Sequence, residues 1–110
     1  MKKIIEMLKE LGMEYAYNHF SDGEKPRIPY ICFYLDNSNN FSADGEAYFK
    51  ISSVVLALYT SVKDKRAEDK VEAMLAKHGY FYVKNEFYME DAEIYEIQYE
   101  FDIENEDLEG

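Results

Sequence analysis

The residues in this chain that could do chemistry are two histidines, one cysteine and a large number of carboxylates. Nucleophilic catalysis needs a Ser or Cys within hydrogen-bond reach of a base, and the bases on offer are His19 and His78. Neither sits in a motif. His78 falls in the last turn of a helical pattern, where a partly charged imidazole meets the negative end of the helix dipole. His19 lies beside Phe20 at a strand end and reads as a half-exposed spacer. The pairs Glu68-Asp69 and Glu90-Asp91 and the run from Glu104 to Glu109 could supply acid and base. A chain this acidic produces such pairs by composition alone, and they read as solvated faces.

Metal and phosphate chemistry fare no better. Asp36-Asn37-Ser38-Asn39-Asn40 opens like a calcium loop, yet Phe41 stands at the sixth position, where the sharp turn requires Gly. One Cys and two distant His cannot close a tetrahedral zinc site. The five glycines are scattered and make neither a dinucleotide fingerprint nor a Walker spacing. The expectation is a protein with no enzymatic activity and no cofactor.

Any site must be positioned by one small domain, because 110 residues leave room for one hydrophobic core. Hydrophobic residues make up 47% of the chain, with eleven Tyr, seven Phe and no Trp, so burial can drive folding unaided. The formal net charge is -11, which repels phosphate, and the densest basic run, Lys63 to Arg66, is broken by Asp64 and followed by Glu68 and Asp69. No direct nucleic-acid binding is expected. Cys32 lies inside the apolar run Tyr30 to Leu35 and should pack as a small hydrophobe. The N-terminus begins like a signal peptide but reaches Glu6 and Glu10 without an apolar stretch. No segment approaches the ~20 apolar residues of a membrane span.

The elements follow from periodicity. Ile4, Ile5, Leu8 and Leu11 recur at helical spacing from Lys2 to Leu11, and Gly12 supplies the stop. A short extended piece lies between Met13 and Phe20, then a turn or loop over residues 21–26, and Tyr30 to Leu35 reads as a strand buried on both faces or nearly so. Asp36 to Asp44 is a polar connection with a lone Phe41, followed by a long strand from Ala47 to Thr60. Asp64 can cap a second helix with Ala67, Val71, Met74, Leu75 and His78 on one face and Glu68, Asp69, Lys70 and Glu72 on the other. Gly79 ends it. Tyr80 to Tyr88 and Glu93 to Ile103 form a hairpin across Glu90-Asp91-Ala92. In the second arm Tyr95, Ile97, Tyr99, Phe101 and Ile103 alternate inward against Glu96, Gln98, Glu100 and Asp102. Residues from about 104 onward are nearly all acidic and read as a frayed tail. The order predicts one α+β domain over 1–110, with a mixed or antiparallel sheet of four to five strands and two helices on one face.

The stretch Asn40-Phe41-Ser42-Ala43-Asp44-Gly45-Glu46-Ala47-Tyr48-Phe49-Lys50, then Leu58-Tyr59-Thr60 and Lys63-Asp64, then the Glu/Lys-rich helix and the Tyr-rich hairpin, resembles the small tail-terminator or tail-completion proteins of Firmicute phages and prophages. The similarity runs from about Pro29 to Ile103. It departs at Lys65, where relatives often carry Pro after the capping Asp, and at Ala57, where they carry an acid. The resemblance implies a gpU-like α+β subunit that closes into a hexameric homo-oligomeric ring, ends the tail tube and joins it to the head. Its implied partners are tail-tube and head-connector proteins, in the host cytoplasm during assembly and then in the virion tail. Interface candidates on this stretch are Asn40, Phe41, Asp44 and Tyr48, and Phe41, the lone aromatic of a polar loop, is expected either to anchor a neighbouring subunit or to fold back over one end of its own sheet. The alternative, from a different class, is an acidic monomeric regulatory or inhibitory module that uses its acidic face to occupy a basic partner. Calcium, zinc or ATP should leave the melting temperature unchanged. A bound ligand at a hundred times its dissociation constant adds ~2.7 kcal/mol, so a rise of many degrees would show a site that these motifs do not contain.

Overall fold

The computed structural model describes residues 1–21, 23–24, 26–36, 51–104 and 107. Along the chain run α1 (Lys2–Lys9), β1 (Glu14–Tyr17), β2 (Tyr30–Asp36), β3 (Ile51–Thr60), α2 (Lys65–Lys77), β4 (Val83–Met89) and β5 (Ile94–Glu104). The strands form one sheet in the order β1-β2-β3-β5-β4, with β1 parallel to β2 and the other neighbours antiparallel. This is the expected α+β class, and the sheet is the mixed one of the two alternatives.

Strand register sorts the side chains onto two unlike faces. Ile31, Leu58 and Ile97 lie side by side across the three central strands, as do Phe33, Leu56 and Tyr99. These residues share one core with Ile4, Met7, Leu8 and Leu11 from the first helix and its end, and with Ala67, Val71, Met74 and Leu75 from α2. Both helices therefore cover the same face, as the alternation in β5 requires. The opposite face carries the rows Tyr30, Tyr59, Glu96 and Cys32, Ala57, Gln98 and Tyr34, Val55, Glu100. Tyr30 stacks on Tyr59 with ring centroids 5.0 Å apart, and Phe20 stands edge-on to Tyr30.

Local signals explain where each helix stops. The Asp64 side chain accepts a hydrogen bond from the Ala67 N–H at 3.1 Å, so it caps α2 as its position predicts. At the other end Gly79 adopts φ +80, its N–H donates to the Ala76 carbonyl, and the Tyr80 N–H donates to the Leu75 carbonyl at 2.9 Å. That pair of bonds is a Schellman ending. It shifts the predicted hairpin arm, because Tyr80 is held at the helix end with its ring 4.9 Å from Phe101, and extended pairing begins only at Val83. Met7, outside the expected apolar face of α1, is buried and widens that face. Of the long strand predicted from Ala47, the part from Ile51 is observed, and residues 47–50 lie outside the described residues.

Phe101 is buried against both the sheet and Tyr80, while its neighbour Glu100 points to the open face. Phe101→Ala should therefore cost ~3 to 5 kcal/mol and Glu100→Ala at most about 0.5. Equal urea midpoints for the two variants would contradict this register.

Candidate functional site

The sequence candidates Asn40, Phe41, Asp44 and Tyr48 lie outside the described residues. Of the residues with possible chemistry, His19 is exposed, with Nδ1 2.8 Å from its neighbour's carbonyl, that of Phe20. It lines a shallow cavity of about 460 Å³ on the open face together with Cys32, Tyr30 and Tyr59. This places a thiol and an imidazole around one cavity, but burial pushes the Cys32 thiol up, against a smaller opposing hydrogen bond to the Phe20 backbone. A thiol in that state is not an activated nucleophile. His78 is the C-cap of α2, and its Nε2 lies 2.8 Å from Glu10 Oε2. Lys77 donates to Glu10 Oε1 at 3.0 Å, so the two helix ends are tied together. The bond from His78, then that from Lys77, holds the Glu10 carboxyl below the usual range. Among the described residues no group of three or more His, Cys, Asp or Glu is placed to hold a metal.

One polar cluster corrects the sequence reading. Glu68, expected on a solvated face, is 2% exposed. The Lys84 ammonium lies 2.7 Å from Glu68 Oε1 and 2.8 Å from Glu72 Oε2. Lys63 donates to Glu68 Oε1 at 3.1 Å and pairs with Glu86 as well. Glu68 Oε2 has that ammonium at 3.0 Å as an ion-pair partner, without a well-angled hydrogen bond. The Tyr99 hydroxyl donates to Glu72 Oε2 at 2.8 Å, and the Lys84 ammonium sits 5.8 Å from the Tyr99 ring centroid. Burial pushes the Glu68 and Glu72 carboxyls up, but the bonds from Lys84, Lys63 and Tyr99 outweigh it and leave both below the usual range. The spacing did hold the signal. Glu68 precedes Leu75 by seven residues, which sets the two within ~20° on the helix surface, so Glu68 faces inward with Leu75.

The cluster fastens β4, an edge strand that no other described strand covers. Every residue of this strand is exposed, and its outer edge pairs with no strand among the described residues. Val83, Phe87 and Met89 alternate along it toward the open face, and Phe81, just ahead of it, is 96% exposed. Free edges are normally blunted by charge, but here Lys84 and Glu86 are engaged toward α2 and Lys63. A long edge with a row of apolar side chains is a surface for adding a strand from another chain. No protein-family model matches the sequence, and no curated protein matches it. Among the described residues, no helix is long and apolar enough to cross a membrane.

Lys84→Met leaves Glu68 with only the half-exposed Lys63. The loss should be about 1 to 3 kcal/mol, below that of a fully buried pair because water reaches both lysines. Lys65→Ala, whose pair with Asp69 stands in solvent, should stay within about 0.5. The lowered carboxyls contribute fully above their ordinary value of 4.5, and the contribution is lost as pH falls through the lower folded values. Glu68→Gln should accordingly flatten the acid side of the urea midpoint against pH. An acid dependence identical to that of the unmodified protein would remove the cluster from the stability account.

Proposed function

We propose that this chain is a non-enzymatic structural subunit of a phage or prophage tail, forming a ring that ends the tail tube and joins it to the head. The observation that carries the reading is the edge of β4, which pairs with no strand among the described residues, with Phe81 just ahead of it and Val83, Phe87 and Met89 along it. A ring subunit must hold, while still alone, a surface that its neighbour covers, and the partner proposed for this edge is a second copy of the chain. Support also comes from the α+β architecture with both helices on one face, which is the form that the resemblance to tail-terminator proteins implies. Tail-tube and head-connector proteins are the further partners of the proposal. The mechanism is geometric: copies close on one another, and one surface of the ring matches the last ring of the tube and stops its growth. The same reading places the protein in the host cytoplasm during assembly and in the virion tail afterwards.

A second reading has its own observation. Glu96, Glu100, Asp102 and Glu104 form a row along β5 on the open face, and such a row would suit a monomeric inhibitory module that covers a basic partner. Mass across concentration separates the two. The proposal predicts a mass that rises to a closed multiple of 13.0 kDa, more readily when tail-tube protein is present. Phe87→Lys should weaken that association at least tenfold while leaving the melting temperature within a few degrees, since Phe87 is 48% exposed. A protein that stays monomeric at every concentration, with and without tube protein, would leave the inhibitory module.

A further inference from the structure

The chain has only two arginines, Arg27 and Arg66, and both line one cleft of about 580 Å³. Lys70 stands one helical turn beyond Arg66 and lines it too. The cleft sits where the start of α2 meets the start of β1 and the residues leading into β2. Its two carboxylates are already engaged with backbone: Glu14 Oε2 accepts from the Arg27 N–H, and Asp64 Oδ1 accepts from the Ala67 N–H. Lys63, Lys65, Lys77 and Lys84 each hold a carboxylate. Arg27, Arg66 and Lys70 form no ion pair with another described residue. A chain of net charge -11 thus gathers around a concavity three cations that no described carboxylate pairs, where low-dielectric walls concentrate their field.

Guanidinium forks fit carboxylates two bonds at a time, as they do phosphates, and the ligand that the chain itself supplies is an acidic peptide. The chain carries one: residues 104–110 include Glu104, Glu106, Asp107 and Glu109. In its own copy Asp107 lies within electrostatic reach of Tyr80, just past the end of α2 opposite Arg66. Tyr95 pairs with Thr60 at the cleft end of the sheet and Glu104 pairs with Ile51 at the far end. At ~3.3 Å per residue those ends are about 30 Å apart, whereas residues 105–110 span ~20 Å even fully extended. We propose that the cleft of Arg27, Arg66 and Lys70 binds the acidic segment 104–110 of a second copy. This rests on the self-association proposed above and names the charged groups that meet in it. The contact is heterologous, one surface against a different one, which is the kind that closes rings.

The test titrates the full-length protein with a synthetic peptide of residues 103–110 and, separately, with the same peptide carrying Gln and Asn in place of every acid. The acidic peptide should bind, should bind at least about tenfold more weakly to an Arg27→Gln, Arg66→Gln double variant, and should weaken as salt is raised. The neutral peptide should not bind. Both arginines are exposed, so the double variant should melt close to the unmodified protein, and Lys70→Gln provides a second reading of the same cleft. Absence of binding, or binding equal for either peptide or for the double variant, overturns the inference. Mass across concentration keeps the two levels apart. Peptide failure beside a rising mass overturns the cleft alone, and a monomeric mass throughout overturns the second copy as occupant.

Discussion

The Lys84 ammonium, held between Glu68 and Glu72 on α2 and lying against the Tyr99 ring, is the interaction on which the open edge depends. No residue of β4 is fully buried, and Phe87 and Tyr88 are only about half covered. As an edge strand it has one ladder, seven pairs with β5, where the inner strands of the sheet have two. Beside that ladder and the contact of the Tyr88 and Tyr95 rings, this tie holds it to the helix, reinforced by the pairing of Lys63 with both Glu68 and Glu86. The carboxylate of Glu68 would be costly inside the protein if left alone, so the cluster ties the strand to a helix that its own core residues Val71 and Leu75 already anchor.

The second constraint is one-sidedness. Both helices take the face of Phe33, Leu56 and Tyr99, and the other face closes over only its centre, where Cys32, Val55 and Ala57 are buried among larger rings. Tyr30, Tyr34 and Tyr59 surround that patch as partly buried rings, with burial pushing each phenol up, so none is ionised at neutral pH. Rigid rings with neutral hydroxyls bury large area at small entropic cost, which suits contact with another protein better than catalysis.

Much of the fold was legible because its signals are local. The alternation from Tyr95 to Ile103 gave the inward face of β5, Asp64 marked the start of α2 and Gly79 its end. The rest was hidden for definite reasons. Glu68 was read by its charge when its spacing from Leu75 pointed inward. Tyr80 looked like strand by its ring and was taken by the helix ending. The parallel pairing of β1 with β2 and the edge position of β4 are long-range facts that no residue type announces. The cleft escaped notice because Arg27 and Arg66 are far apart in the chain and meet only when β1, β2 and α2 are assembled. The interface candidates of the polar loop and the start of the long strand, Asn40, Phe41, Asp44 and Tyr48, fall outside the described residues.

The central claim is that β4 is held rigid in the single subunit so that its edge can be covered by another copy. Amide hydrogen exchange on residues 83–89, followed as protein concentration is raised, tests it most directly. Every second amide of an edge strand points away from its sheet. The account predicts that these outer amides exchange freely in dilute protein and become protected as the mass rises, while the amides bonded to β5 are protected throughout. Association that leaves exchange along β4 unchanged would contradict it.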